Sequence, residues 1–206
     1  WTVHYRPIGV AGLITPWNFP IGMIAKKLSA ALAGGCPSVI KPAEDTPLTM
    51  VAAFRAIHDR GILPAGMINL VMGPPKPIGD ELCRNPDVTM ISFTGSTPVG
   101  QHLIRETAGR VKKLALELGG NAPFIVFDDA DVDDAINQLI GNKFRGGGQT
   151  CVCANRIYVQ SGIFETFADK LAERVGALKV GDGMEEGMDI GPLINQAGFD
   201  KVRRHV

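Results

Sequence analysis

The sequence predicts an α/β protein built on a parallel sheet. Short apolar runs rich in β-branched residues alternate with longer stretches whose apolar residues recur at helical spacing. No internal repeat or low-complexity linker interrupts this alternation. Strand–helix–strand units of such length join parallel strands through right-handed crossovers, so helices cover both faces of the sheet.

Residues 8–14 read as a strand, and residues 20–33 as a helix that Gly34-Gly35 stops. A short strand at 38–40 leads to a helix at 47–59, with Pro47 suited to a first helical turn. Strand 69–72 and a helix at 78–84 follow. Strand 88–93 is broken by Thr94-Gly95, and a helix runs over 98–108. Residues 113–118 and 123–127 read as strands, with helix 132–144 next. Strand 156–160 and helix 163–178 complete the ordered elements. Between the two α/β runs, Leu118-Gly119-Gly120-Asn121 is the best boundary, because a glycine pair separates them.

A chain of 206 residues buries a substantial core. Lys plus Arg and Asp plus Glu both number 21, so no basic excess points to nucleic acid or to an anionic membrane surface. No apolar run approaches the ~20 residues of a membrane span. The opening WTVHYRPIGV carries neither an initiator Met nor a signal-peptide pattern, and KVRRHV resembles a helix cut midway. These features suggest an internal piece of a longer protein. The cysteines Cys36, Cys83, Cys151 and Cys153 suit cytoplasmic thiols better than a disulfide framework.

In parallel sheets, ligands sit beyond the carboxyl ends of the strands, which directs attention to the loops. Residues 15–20 read TPWNFP: two prolines stiffen a turn that presents Trp17 and Asn18. An amide there can donate to a developing oxyanion, although a turn-forming Asn beside a packed Trp is the plainer reading. Residues 41–46 read KPAEDT, in which Lys41 and Glu44 can grip ribose hydroxyls or form an ordinary acidic helix start. In FTGSTPVG, Gly95 permits a tight turn and the following helix offers N–H groups to a phosphate. Glu117 ends an apolar strand in LALELGG, where burial would suit it to general-base work and exposure would leave a solvated carboxylate.

The segment 146–156 reads GGGQTCVCANR. C-x-C is too tight for the usual zinc knuckle, and His4, His58, His102 and His205 are scattered, so no metal site is expected. It is also not the C-x-x-C redox spacing. A lone nucleophile with a neighbouring thiol fits better, the glycines letting backbone approach a substrate. Two small buried apolar residues remain the alternative.

Taken together and in this order, TPWNFP, KPAEDTP, FTGSTPVG, LELGGNAPFIVFDDAD, GQTCVCANR and GPLIN resemble the NAD(P)-dependent aldehyde dehydrogenase superfamily, over nearly the whole chain. FRGGGQTCVCANR with FIVFDDAD is most similar to its succinate-semialdehyde branch. The resemblance implies a Rossmann-like parallel-sheet coenzyme domain over 1–117, then the first part of an α/β catalytic domain over 118–206. It implies Cys151 as nucleophile, Asn18 with the Cys151 N–H as oxyanion donors, and Glu117 as the base that activates water. Cofactor contacts are implied at Thr15, Pro16, Trp17, Lys41, Glu44, Gly95, Ser96 and Leu118. A carboxylate near the ribose 2′-hydroxyl favours NAD, and Lys41 leaves NADP possible.

In that branch, two basic positions read the far carboxylate of the substrate. Arg145 matches one; the other is normally Arg and here is Lys26, which keeps the charge without the planar fork. The resemblance thus implies succinate semialdehyde, with glutarate semialdehyde or other aldehydes as the alternative. A solvated helix lysine is the plain reading of Lys26. Cys153 matches a cysteine that some members oxidise onto the nucleophile, and is otherwise a packing residue. A homo-oligomeric parent follows from the resemblance, as does an inactive, poorly stable isolated chain with exposed apolar surface. Rivals from other classes are a cofactor-independent thiol hydrolase or acyltransferase, and a non-catalytic protein that keeps the fold.

Overall fold

The computed structural model describes residues 1–205. The chain forms two compact units, Trp1–Gly119 and Gly120 onward. The division falls inside the glycine pair that the sequence marks, just past the boundary expected after 117.

The N-terminal unit is built on five strands, β1 (Val10–Ile14), β2 (Ser38–Lys41), β3 (Ile68–Leu70), β4 (Val88–Thr94) and β5 (Lys113–Glu117). They pair in parallel in the order β3-β2-β1-β4-β5. The order reverses between β1 and β4, the place where parallel sheets leave a crevice for ligands. Four helices connect the strands: α1 (Pro20–Ala33), α2 (Leu48–Asp59), α3 (Pro75–Arg84) and α4 (Thr97–Ala108).

Each helix buries the stripe its sequence period lays down. On α1, Ile24 and Leu28 lie one turn apart and pack with Ala11, Leu13, Ile40 and Met50. Pro20 opens the helix where no intrahelical N–H is lost. On the other sheet face, Leu82 and Cys83 of α3 and Leu103 of α4 pack with Val88, Ile91 and Phe93. Gly12 matters here, because a Cβ at that position would sit 3.3 Å from Leu82 Cδ2. Strand β5 alternates: Leu114 and Leu116 join this core while Lys113, Ala115 and Glu117 are exposed.

The C-terminal unit pairs β6 (Ala122–Val126) with β7 (Ala154–Val159) in parallel, with α5 (Val132–Lys143) between them in sequence and α6 (Phe164–Gly176) and α7 (Gln196–His205) after them. Its core joins Val126, Ile136, Leu139, Ala154 and Phe167. The acidic run before α5 has a local purpose: the Asp131 carboxylate accepts from the Asp134 N–H at 2.9 Å and caps the helix. Ile125, Phe127 and Tyr158 are exposed large apolar side chains of this unit.

Element limits depart from the sequence expectation in explicable ways. The first strand starts at Val10 rather than residue 8 because Gly9 adopts φ +116°, against Thr89. Helix α3 begins at Pro75, earlier than 78, since first-turn prolines cost it no hydrogen bond. The strand expected at 69–72 is Ile68–Leu70, and its register fixes it: Ser38, Val39 and Ile40 pair with Ile68, Asn69 and Leu70. Among the described residues no helix is long and apolar enough to cross a membrane.

Ile40 is fully buried between α1 and α2. Replacing it with Ala is expected to lower the stability of the N-terminal unit by about 2–5 kcal/mol. Urea unfolding followed by Trp17 fluorescence reads this, and an unshifted midpoint would remove Ile40 from the core.

Candidate active site

The N-terminal unit collects its expected site residues at one sheet edge because the register demands it. Ile14 pairs with both Lys41 and Phe93, and Thr94 pairs with Glu117. The carboxyl ends of β2, β1, β4 and β5 therefore finish level. Backbone bonds continue past the strands: Thr15 N–H donates to the Lys41 carbonyl at 3.2 Å, and Gly95 N–H to the Glu117 carbonyl at 3.0 Å. Thr46 Oγ1 donates to the Trp17 carbonyl at 3.3 Å, tying the loop that carries Pro16, Trp17 and half-buried Asn18 to the one after β2.

Lys41 is the most buried charge at this edge, with its side chain 3% exposed. Its Nζ donates to the Pro42 carbonyl and to Glu44 Oε2, both at 2.8 Å. Partial burial pushes the Glu44 carboxyl up, but the Lys41 hydrogen bond, a backbone N–H and the lysine charge together outweigh it. The net effect holds Glu44 below the ordinary carboxylate range.

Thr15 and Thr94 lie at the ends of β1 and β4, where the strand order reverses. Both hydroxyls are buried, and neither Oγ1 has a hydrogen-bond partner. A buried hydroxyl without a partner is costly, and two of them at the crevice fit a polar ligand. Ser96 starts α4 in extended conformation, and its side chain does not cap the helix, leaving the first-turn N–H groups for an anion. The residues present thus suit a dinucleotide.

Gly95 lies at the bend after β4, and it is also needed for a close approach. Its φ is not positive; the ring of Phe93 lies beneath it, with Cζ 2.4 Å from where a Cβ would stand. Leu118 likewise packs on α4, with Cδ2 2.6 Å from the Cβ position of Gly100. Glu117 is exposed on the edge strand, so the burial considered for it is not found.

A groove of about 640 Å³ runs along the sheet face beside β5, lined by Met23, Lys26, Lys27, Ser92, Thr94 and Glu117 among others. Lys26 is exposed at its rim. Lys27, which the sequence reading passed over, is half-buried and donates to Ser92 Oγ at 2.9 Å. Desolvation lowers its proton affinity; Glu117 opposes this and Lys26 adds to it. Its place beside Ile24 and Leu28 on α1 was the available signal.

In the C-terminal unit the loop carrying Cys151 enters β7 from α5, so it lies at the amino end of its strand instead of leaving one. Residues Arg145–Gly148 form a 3-10 turn, and Gly146, Gly147 and Gly148 all take positive φ, of 58°, 67° and 73°. Only glycine does this without strain, so the run reverses the chain in minimal length. Arg145 and Cys151 are exposed, Cys153 is buried, and all the cysteines are free thiols. Cys153 Sγ donates to the Gly148 carbonyl at 3.4 Å and receives Lys143 Nζ at 3.7 Å. Asn142 Oδ1 accepts the Ala154 N–H at 2.7 Å, and Asn155 Oδ1 accepts from Lys143 Nζ at 2.6 Å. Gly120 belongs to the same packing, since a Cβ there would come 3.4 Å from the Cys151 carbonyl oxygen. Among the described residues no group of three or more His, Cys, Asp or Glu side chains is placed to hold a metal.

Comparison with known proteins places the chain in a family. The aldehyde dehydrogenase family pattern matches residues 1–206. The succinate-semialdehyde dehydrogenase [NADP(+)] GabD of Escherichia coli K12 is 51% identical over 201 residues, covering 98% of this chain and 42% of that protein. A glutarate-semialdehyde dehydrogenase of Pseudomonas putida is 53% identical over 201 residues, with 98% and 42% covered. An oxidoreductase from Marinobacter aquaeolei of known crystal structure superposes with a TM-score of 0.94 at 69% identity, covering 98% of this chain and 42% of that one. The chain therefore spans about 42% of the length of the relatives it matches.

The Lys41–Glu44 pair makes stability depend on pH with a definite sign. A depressed folded-state pKa contributes stability that is complete above the unfolded value and is lost as pH falls through the folded one. Glu44→Gln should therefore be less stable than wild type at neutral pH, with the gap closing on acidification through the carboxylate range. Urea midpoints across that range read the gap; one that stays constant would rule out the ion pair as its source.

Proposed function

The chain belongs to the aldehyde dehydrogenase family, and on that premise we propose that the whole protein oxidises an aldehyde to its carboxylic acid with a nicotinamide dinucleotide. The single observation that carries this reading is the Cys151 thiol, free and exposed on a loop whose other thiol is buried and hydrogen-bonded. In this mechanism the Cys151 thiolate attacks the aldehyde carbon to give a thiohemiacetal. The Asn18 amide and the Cys151 N–H donate to the oxyanion. NAD or NADP, when bound, supplies the hydride acceptor. After hydride loss Cys151 carries a thioester, and Glu117 takes the proton from the water that hydrolyses it, which releases the acid and the thiol.

Lys41 and Glu44 would hold the adenosine ribose, Ser96 and the start of α4 the pyrophosphate. Thr15, Pro16, Trp17 and Leu118 would line the cleft, with Gly95 shaping it. NAD is the proposed acceptor, because the Glu44 carboxylate repels a 2′-phosphate. The Lys41 ammonium, 2.8 Å away, offsets part of that repulsion, so NADP is admitted too, as in the name of the Escherichia coli relative.

The proposed substrate carries a second carboxylate, read by Arg145 and Lys26. Succinate semialdehyde leads. Glutarate semialdehyde is the second reading, favoured by the Pseudomonas putida relative and by the single-point charge of Lys26. We place the whole protein in the cytoplasm as a homo-oligomer, on its cysteine usage and its family. A peroxide lock remains part of the proposal: peroxide oxidises the Cys151 thiolate to a sulfenic acid with release of water, and the Cys153 thiol displaces a second water from it to form the disulfide.

Absorbance at 340 nm, followed in the whole protein with each semialdehyde and each dinucleotide, tests the reading. Cys151→Ala is expected to abolish turnover, and Asn18→Ala to lower kcat by about 10²–10³. Turnover that survives Cys151→Ala would overturn the mechanism. Lys26→Ala should raise KM for both semialdehydes while sparing uncharged aldehydes; equal effects on all would discard the carboxylate role.

A further inference from the structure

We propose that Gln149 is a positioning residue for Cys151, acting by tying the cysteine loop to the segment 191–195. The proposal rests on the reading of Cys151 as nucleophile and gives the GPLIN motif a task.

A loop with three successive positive-φ glycines has little intrinsic order, because glycine loses more conformational freedom on folding than any other residue. It needs tethers on both sides of the nucleophile. After Cys151, the buried Cys153 and the bond from Ala154 N–H to Asn142 provide them. Before it stands Gln149. Its Nε2 donates to the Gly146 carbonyl at 3.0 Å, which closes the glycine turn on itself. Its Oε1 accepts the Ile194 N–H at 3.0 Å, from 45 residues further along the chain.

The segment on which Gln149 anchors is itself fixed. Ile190 N–H donates to the Lys179 carbonyl and Gly181 N–H to the Ile190 carbonyl, both at 3.0 Å. At the other end Asn195 Oδ1 accepts the Gly198 N–H at 3.0 Å, at the start of α7. Between these points Ile190 Cγ2 and Leu193 Cδ2 lie 3.7 and 4.0 Å from the Cβ position of Gly147, covering the turn with apolar side chains. The motif thus divides its work: Leu193 covers the glycines, Ile194 gives its N–H to Gln149, and Asn195 caps the next helix. Gln149 stands two residues before Cys151, whose N–H is an oxyanion donor in the proposed mechanism. A small displacement of such a donor costs orders of magnitude in rate with little effect on ground-state binding.

The test compares Gln149→Leu and Gln149→Glu with wild type in the whole protein. Leu keeps the volume and loses both bonds, whereas Glu keeps an acceptor for Ile194. Amide hydrogen exchange in peptides covering 145–153 and 190–195 reads the tether without turnover. Gln149→Leu is expected to speed exchange in both peptides and to lower kcat about 10–100-fold, with KM changed by no more than about threefold. Gln149→Glu is expected to restore protection at 190–195 and part of kcat. Unchanged exchange in Gln149→Leu overturns the tether. Faster exchange with unchanged kcat overturns its role in positioning. If Cys151→Ala still turns over, the functional reading itself falls; if Cys151→Ala is dead and Gln149→Leu is normal, only this inference falls.

Discussion

The shared register of β1 with both of its neighbours is the constraint on which the site of the N-terminal unit depends. Ile14 stands beside Lys41 on one side and Phe93 on the other. A one-residue slip of β1 would exchange the side chains facing its two cores, putting Leu13 where only Gly12 leaves room for Leu82. The end of one strand therefore fixes the ends of the others. Lys41, Thr15, Thr94 and Glu117 reach a common edge as a result of core packing, before any polar interaction between them is counted.

The C-terminal unit meets the opposite demand. Its cysteine loop is not an extension of the sheet but a reversal between α5 and β7, made from residues with the least conformational preference. Order there comes from side chains, through the bonds of Asn142, Lys143, Cys153 and Gln149. The contrast is a general one. Where backbone geometry is strongly specified, side chains are free for ligands; where it is weak, side chains are used to hold the backbone.

The same contrast explains what the sequence made legible. Helices α1 and α5 show at once, because Ile24 with Leu28 and Ile136 with Leu139 mark buried stripes. The alternation of strands and helices was enough for a parallel sheet. The turn at Gly95 is legible in the sequence, but the close approach of the Phe93 ring beneath it is not. Glu117 shares with Lys113 and Ala115 the exposed face of β5, opposite Leu114 and Leu116; that this face is left open at the sheet edge is a property of strand order. The tie from Gln149 to Ile194 joins residues 45 positions apart. The quoted motifs contain both ends of that tie, but no spacing rule connects them.

The sorting of thiols by burial gives this chain an internal reporter. Cys36, Cys83 and Cys153 are buried and Cys151 is exposed; burial, with nearby carboxylates adding, also pushes the Cys83 thiol up, further from its reactive form. A colorimetric thiol reagent therefore meets one accessible group in the native chain and 4 in the denatured one. Cys36 and Cys83 lie in the N-terminal unit and Cys153 in the C-terminal one, so the order in which they become reactive records which unit opens first.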